Sequence, residues 1–259
     1  MTRKEKYMTP EERKQKIIDI AAQKKFVRVG YLTQTLYTSE ATIRRDLSQL
    51  EKAGYIMRTN GGAMYLKETY HEFPFDYKAR TNAEKKKYIA DLAIDFVGSF
   101  QSIFMDSSST CSYLAKKMVH QSNLTILCNG VTNCQILSQN PQIKVHCPAG
   151  VITHDTDTIT GQATVDYVEK HSAQIAFISC RGLDADFGLS EIVESEAYVK
   201  QAFRKRASQV VLLADSTKFG TRFFFQSLPL DQINTFISDS KPPEDILHKM
   251  KECNIEVIY

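Results

Sequence analysis

The chain has no stretch that a membrane would hold. No run approaches the ~18 consecutive apolar residues of a span, and the opening MTRKEKYMTPEERKQK has no apolar core of the kind a secretory leader needs. A cytoplasmic protein without membrane contacts is expected. A CxxC pair is also missing. The six cysteines, Cys111, Cys128, Cys134, Cys147, Cys180 and Cys253, are scattered and mostly lie in or beside apolar runs. Disulfides and a zinc centre are therefore not expected, and the cysteines read as buried thiols. No His/Cys/Asp/Glu cluster has metal-ligand spacing. None of His71, His120, His146, His154, His171 and His248 has a triad-like context, so they read as structural or exposed. No paired carboxylates suggest acid–base catalysis. Catalytic residues, metals and cofactors are not expected. Repeats and low-complexity tracts are missing as well. A strong net charge is lacking too, and the overall +3 says nothing about partners.

What is present is unevenly distributed. The 259 residues, 42% hydrophobic and 24% charged, suit a globular chain of two domains. Residues 1–65 carry 13 Lys+Arg against 7 Asp+Glu, a balance of +6, whereas the remainder carries 20 against 23, a balance of −3. Positive charge thus gathers at the amino-terminal end, as a footprint on a phosphate backbone requires.

The informative stretch there is YLTQTLYTSEATIRRDLSQLEKAGYIMRTNGGA, Tyr31 to Ala63. Ile43, Leu47 and Leu50 fall at i, i+4 and i+7 and form one apolar stripe. Thr42, Arg44, Arg45, Ser48, Gln49 and Lys52 lie away from it. Ser39 is the natural N-cap, and Gly54 stands where a helix stops. Tyr55 to Arg58 reads as a strand, Asn60-Gly61-Gly62 as a turn, and Ala63 to Tyr65 as the return. Helix, turn, helix and hairpin make a winged helix whose second helix suits a major groove. Thr42, Arg44, Arg45, Ser48 and Gln49 are the expected DNA-facing residues, with Arg44 or Arg45 matching a guanine edge. The alternative is that one arginine pairs with Asp46 or a phosphate and reads no sequence. Asp46 itself lies near the buried stripe and reads as structural. Lys52 and Arg58 suit phosphates, and Asn60 at the wing tip suits backbone or minor groove, although a plain hairpin would look the same.

Before this stretch, Thr9, Pro10, Glu11 and Glu12 mark the start of a helix whose buried face is Ile17, Ile18, Ile20, Ala21 and Ala22. After it, Leu66 to Asp76 lacks periodicity, contains Pro74 and reads as a linker. The expected division is 1–65, linker 66–76, and 77–259. Asn82 can cap a helix ending at Gly98. Short apolar runs then alternate with amphipathic segments. The expected strands are Ile103–Met105, Leu124–Cys128, Ile143–Cys147, Ile175–Ser179, Val210–Ala214, Thr235–Ser238 and Ile255–Ile258. Helices fall between them at Cys111–Val119, Thr132–Ser138, Ala163–Lys170 and Ser195–Ala207. This pattern predicts an α/β domain with a mainly parallel sheet covered on both faces.

Ligands of such sheets bind beyond the carboxyl ends of the strands. The segments leaving those ends are small and polar: Asp106-Ser107-Ser108-Ser109-Thr110, Asn129-Gly130, Ala149-Gly150, Arg181 to Asp184, and Asp215 to Gly220. With parallel strands, all five are expected on one rim. DSSST places hydroxyls and backbone N–H groups at a helix start, an arrangement that binds anions, although serine and threonine are also common N-caps. Lys218 either adds a charge to that site or is a surface lysine. Phe223-Phe224-Phe225 either contributes to an oligomer contact or fills the core.

The run SEATIRRDLSQLEKAGYIMRTNGGA resembles the signature of DeoR-type bacterial transcriptional repressors. Further matches are Ile89-Ala90, Asp106 to Thr110, EA-x-x-K at Glu196 to Lys200, and LLADS-x-KFG at Leu212 to Gly220. The resemblance implies a second domain similar to ribose-5-phosphate isomerase without its catalysis. It also implies a repressor of a carbohydrate operon whose partners are double-stranded operator DNA and a phosphorylated sugar. In the family, basic residues that matter for induction fall on Lys78 and Lys86. The anion loop falls on Asp106 to Thr110, and the Asp and Lys of the later motif fall on Asp215 and Lys218. Ser108 replaces a usual glycine, Lys85 a usual acid, and Arg181 stands where many members have an acidic residue. Each departure falls in the effector region.

Two half-sites about one helical turn apart are usual for one-helix readers, so a homo-oligomer, dimer or tetramer, is expected. Two other readings remain open: a sugar-phosphate isomerase-like enzyme with a DNA-binding appendage, and a constitutive DNA binder with a vestigial sensor domain.

Overall fold

A computed structural model describes residues 8–52, 55–65, 74–153 and 156–259. Gly54, residues 66–73 of the expected linker, His71 and His154 lie outside them. The chain divides into two compact units between Phe73 and Pro74.

The first unit comprises α1 (Pro10–Lys24), β1 (Phe26–Arg28), α2 (Val29–Thr35), α3 (Glu40–Lys52), β2 (Ile56–Thr59) and β3 (Gly62–Tyr65). Helix α1 starts with a reciprocal cap. Glu12 N donates to Thr9 Oγ1 at 3.2 Å, and Thr9 N donates to Glu12 Oε2 at 2.9 Å. Its buried face is Ile17, Ile18 and Ala21 together with Arg13; Ile20 is half-buried and Ala22 exposed, which narrows the expected stripe. Ser39 accepts Thr42 N at 3.3 Å and opens α3. Ile43, Leu47 and Leu50 face inward from α3, as their spacing requires.

The wing is a three-stranded sheet in the order β1-β3-β2, because the extended Phe26–Arg28 pairs with β3 across a long loop. The register Thr59–Gly62 leaves Asn60-Gly61 as the turn, with Gly61 at φ +89°. Gly62 is needed for a different reason: any Cβ there would collide with the carbonyl oxygen of Val27 on β1.

The second unit continues with α4 (Phe75–Arg80), α5 (Ala83–Ala93), β4 (Ser102–Met105), α6 (Ser109–Met118), β5 (Leu124–Cys128), α7 (Val131–Leu137), β6 (Ile143–His146), β7 (Val151–Thr153) and β8 (Thr158–Thr160). There follow α8 (Gln162–Glu169), β9 (Ala173–Ile178), β10 (Gly182–Asp184), β11 (Gly188–Glu191), α9 (Glu194–Arg206), β12 (Ala207–Leu213), β13 (Phe225–Leu228), β14 (Thr235–Ile237), α10 (Glu244–Glu252) and β15 (Glu256–Ile258). Phe75 and Asp76, expected in the linker, belong to α4, where Phe75 is buried. Asn82 precedes α5 in a left-handed conformation and makes no side-chain cap. Its Nδ2 donates instead to Thr217 Oγ1 at 3.4 Å.

The seven expected strands form one parallel sheet in the order β15-β14-β12-β9-β4-β5-β6. Alternate residues serve opposite faces. Phe104, Ala176, Ile178, Val210, Leu212 and Phe236 pack with α8, α9 and α10, and Phe104 stacks on Phe203 of α9 with ring centroids 5.0 Å apart. Ile103, Met105, Ile126, Phe177, Val211 and Ile237 pack on the other face with α5, α6 and α7. The order runs outward from β4 in one direction and from β9 in the other, so the switch point lies between those two strands.

Two smaller sheets have no counterpart in the sequence reading. Strands β10, β11 and β13 form an antiparallel sheet, and β7 and β8 form a two-stranded one. The six described cysteines are all free. Cys111, Cys128 and Cys180 are buried and Cys134 and Cys253 half-buried, but Cys147 is exposed, which corrects the expectation for that residue. Phe224 is 87% exposed, with Phe223 and Phe225 half-buried, so the triplet does not fill the core. No described helix is long and apolar enough to cross a membrane, and no group of His/Cys/Asp/Glu among the described residues could hold a metal.

Candidate functional site

In the first unit the apolar stripe of α3 fixes which residues remain outside. Arg44, Arg45, Gln49 and Lys52 are exposed, and Thr42 and Ser48 are half-buried. Arg44 donates through Nε and Nη2 to Glu40 Oε1, at 2.9 and 2.6 Å, one turn back on the same helix. Arg45 has no hydrogen-bond or ion-pair partner among the described residues, so its guanidinium is available. Gln49 Oε1 accepts Lys14 Nζ at 3.4 Å. On the wing, Arg58 and Asn60 are exposed, and Arg58 N donates to Glu51 Oε1 at 2.8 Å. Its guanidinium lies 3.9 Å from the same carboxylate.

Asp46 pairs with neither arginine of α3. Arg13 on α1 binds it in a fork, Nε to Oδ2 at 2.5 Å and Nη2 to Oδ1 at 3.2 Å, with both groups buried. Arg13 escaped the sequence reading. Its place on the inner face of α1, four residues before Ile17, was the available signal.

In the second unit the switch point is held by a carboxylate. Asp106, at the end of β4, accepts Ser179 N through Oδ2 at 2.7 Å and Ser108 N through Oδ1 at 2.9 Å. It thereby ties the end of β4 to the end of β9. Lys200 of α9 reaches the same carboxylate at 3.7 Å and Glu191 at 2.6 Å, all three side chains being buried. Burial works against the Lys200 charge, but Glu191 and Asp106 more than compensate and its pKa rises. Two carboxylates facing one ammonium leave a surplus negative charge. Asp106 spreads its share over two backbone N–H groups, whereas Glu191 has Lys200 and, at 3.3 Å, Ser227 Oγ. Burial accordingly pushes Glu191 up to about 7 against the pull of Lys200. The E-A-x-x-K pattern named Lys200 without revealing that it points inward.

The DSSST segment opens α6. Ser108 is the N-cap, its Oγ accepting Cys111 N at 3.1 Å, so its side chain is turned back onto the helix. Ser109 and Thr110, the first two helical residues, have N–H groups without intrahelical acceptors. Ser107 and Ser108 are half-buried, and Asp106, Ser109 and Thr110 are buried.

Lys86 meets this segment from α5. It is buried and donates to Ser109 Oγ at 3.0 Å, to Thr81 O at 2.9 Å and to Lys78 O. Burial drives its pKa down to about 7. Lys218, Arg181 and Lys78 push the same way and Asp215 opposes them. Desolvation thus makes the charge of Lys86 conditional. Lys85, the residue standing for a usual acid, donates to Ser216 Oγ at 2.5 Å and pairs with Asp239 at 3.2 Å. It fixes the turn that carries Lys218.

Asp215 is buried and accepts Thr217 N at 3.0 Å through Oδ1, while its Oδ2 has no partner among the described residues. Lys218 is half-buried and its backbone N donates to Asp215 O at 3.0 Å, so the aspartate's side chain holds Thr217 rather than Lys218. Asn129 and Gly130 are buried beyond β5. Asn129 Nδ2 donates to Ile159 O at 3.1 Å, leaving Oδ1 without a partner among the described residues. A Cβ on Gly130 would lie 2.8 Å from Ser107 Cα, so the two loops touch. Thr158 Oγ1 and Ser107 Oγ are 2.9 Å apart. The segment at 181–184 joins the next one through Gly220 N to Leu183 O at 2.9 Å. Ala149-Gly150 is instead packed on Thr160 and Thr164.

Residues 13–69 match the DeoR-like helix-turn-helix domain and residues 81–240 match the DeoR C terminal sensor domain. The chain belongs to the DeoR family of transcriptional regulators. The HTH-type transcriptional regulator GolR of Listeria innocua is 32% identical over 96% of this chain and 98% of its own length. The glycerol-3-phosphate regulon repressor of Escherichia coli is 24% identical over 96% of this chain and 99% of its own. A solved ribose 5 phosphate isomerase A from Neisseria gonorrhoeae aligns at a TM-score of 0.40 and 14% identity, covering 55% of this chain and 56% of that one. As a DeoR-family regulator, the chain joins a helix-turn-helix unit to a sensor unit, and the geometry above belongs to one or the other.

Proposed function

We propose that this DeoR-family protein represses a carbohydrate-metabolism operon and that a phosphorylated sugar controls it. Operator DNA meets the outer face of α3, where Arg45 and Arg44 read base edges beside Thr42, Ser48 and Gln49. Lys52, Arg58 and Asn60 contact the backbone. The observation that carries the effector reading is the buried Lys86, which donates to Ser109 Oγ at 3.0 Å at the start of α6 and whose charge is disfavoured by burial and by Lys218, Arg181 and Lys78 against the pull of Asp215. An anion beside Lys86 would favour its charged form, and the Ser109 and Thr110 N–H groups suit a phosphate. Asp215 Oδ2 and Asn129 Oδ1 are buried acceptors without partners among the described residues, which suits the hydroxyls of the sugar.

The effector acts by preferring one arrangement of the DNA-binding units over another. A homo-oligomer presents two such units to two half-sites. The protein performs no catalysis in this reading, and it works where the operator is, in the cytoplasm.

A thermal-shift screen of the full chain tests this, using sugar phosphates and their unphosphorylated counterparts, followed by gel shifts on duplexes selected from a random pool. Stabilisation and altered DNA affinity are expected with phosphorylated ligands. Stabilisation by unphosphorylated sugars alone would overturn the anion site.

A further inference from the structure

Three thiols meet at the carboxyl ends of β5 and β6, and nothing in the sensor reading uses them. Cys128 is the last residue of β5, and Cys134 lies on α7, the helix leaving that strand. Cys147 stands one residue beyond the final β5–β6 pair, Leu127–His146. Cys134 donates to Cys128 O with Sγ at 3.2 Å, and continuing the β5–β6 register by one residue sets Cys147 beside Cys128. Cys134 is half-buried and Cys147 exposed, so solvent reaches this pair. Cys128 is different. It is buried, and its sulfur is engaged with Gly130, accepting from N at 3.4 Å and approaching the carbonyl oxygen at 3.7 Å.

The two accessible sulfurs are not equivalent. Hydrogen bonding from Cys128, with help from Cys147, holds the Cys134 thiol below its usual range despite burial. Burial and the neighbouring Cys134 push Cys147 up to about 11. Cys134 therefore ionises first, and the thiolate is the nucleophile.

We propose that Cys134 and Cys147 form a peroxide-driven disulfide, a modification site at the foot of the Asn129–Gly130 loop. The Cys134 thiolate attacks one oxygen of hydrogen peroxide, breaking the O–O bond and releasing hydroxide, and becomes a sulfenic acid. The Cys147 sulfur then attacks that sulfur, and the sulfenic oxygen leaves with the Cys147 proton as water. Two thiols and one peroxide thus give one disulfide and two waters. A dithiol reductant reverses the bond by exchange. The crosslink joins α7 to the end of β6, beside the glycine that packs on Ser107.

The test is to treat the full chain with graded hydrogen peroxide, digest it without reductant and map the peptides by mass. A Cys134–Cys147 crosslink, lighter by two hydrogens and lost on adding dithiothreitol, is expected. Cys147→Ser, an exposed position, should abolish the crosslink and leave a Cys134 sulfenic acid that dimedone traps. Cys128→Ala should retain the crosslink. Alkylation of Cys134 should reach half its maximal rate at a pH below that of a free thiol, ~8.5. A crosslink to Cys128, a crosslink surviving in Cys147→Ser, or two unmodified thiols at excess peroxide would each overturn the assignment.

Discussion

Arg13 and Asp46 form a forked ion pair that fastens α1 to the inner side of α3. The carboxylate is 2% exposed. The rotation of α3 about its axis, and so the direction of Arg45, depends on this pair as well as on the Ile43–Leu47–Leu50 stripe. Removing one partner strands the other charge in the interior, at a cost of roughly 3–5 kcal/mol. Asp46→Ala should therefore lower the unfolding midpoint of the full chain in urea by a corresponding amount. Replacing both members with apolar residues should cost less than Asp46→Ala alone.

Arg45→Ala should leave the thermal midpoint unchanged, because the side chain is exposed and has no hydrogen-bond or ion-pair partner among the described residues. Operator affinity should fall by ~1–3 kcal/mol, about five-fold to a hundred-fold, with discrimination relaxed at one base pair. Arg44→Ala should also release Glu40 from its ion pair, an exposed pair of little energetic weight. Quantitative gel-shift titration at fixed salt measures both.

Anion binding should be coupled to proton uptake at Lys86. Its pKa of about 7 in the free protein rises when a phosphate approaches, so above neutrality the ligand must bring a proton with it. Between pH 7 and 9, where a phosphate monoester is already a dianion, affinity should fall by up to about ten-fold per pH unit. Lys86→Met should flatten that dependence. Isothermal titration in buffers of different ionisation heat reads the protons directly.

Glu191 gives a second pH signature. Its folded pKa of about 7 lies above the ordinary 4.5, so its share of stability is complete below pH 4.5 and is lost as pH rises through 7. That share is on the order of 3 kcal/mol. Thermal midpoints measured from pH 4.5 to 8 should fall through this window relative to Glu191→Gln, whose curve lacks the step. Lys200→Met should steepen the loss, because the carboxylates would then face each other without the ammonium.

Much of this was legible in one dimension. Each strand of the parallel sheet is a short apolar run separated by an amphipathic helix, and such runs bury themselves only between two helical layers. Local periodicity therefore fixed the main sheet, its direction and the rim on which the loops leave. The antiparallel β10-β11-β13 sheet was not legible. Its strands are short and mixed in polarity, and β11 finds β13 only across α9 and β12.

Composition and spacing by themselves determined a basic helix-turn-helix unit, an α/β unit and the segments that crown it, because backbone geometry enforces periods of 3.6 and 2. Tertiary structure decided which partners the inward charged side chains meet. Arg13, Lys86 and Lys200 lie on helices whose sequences look like many solvated ones, and each is drawn inside by oxygen acceptors supplied from elsewhere in the chain. Burial of a charge depends on partners that meet only when the chain is folded, and no local pattern encodes that meeting.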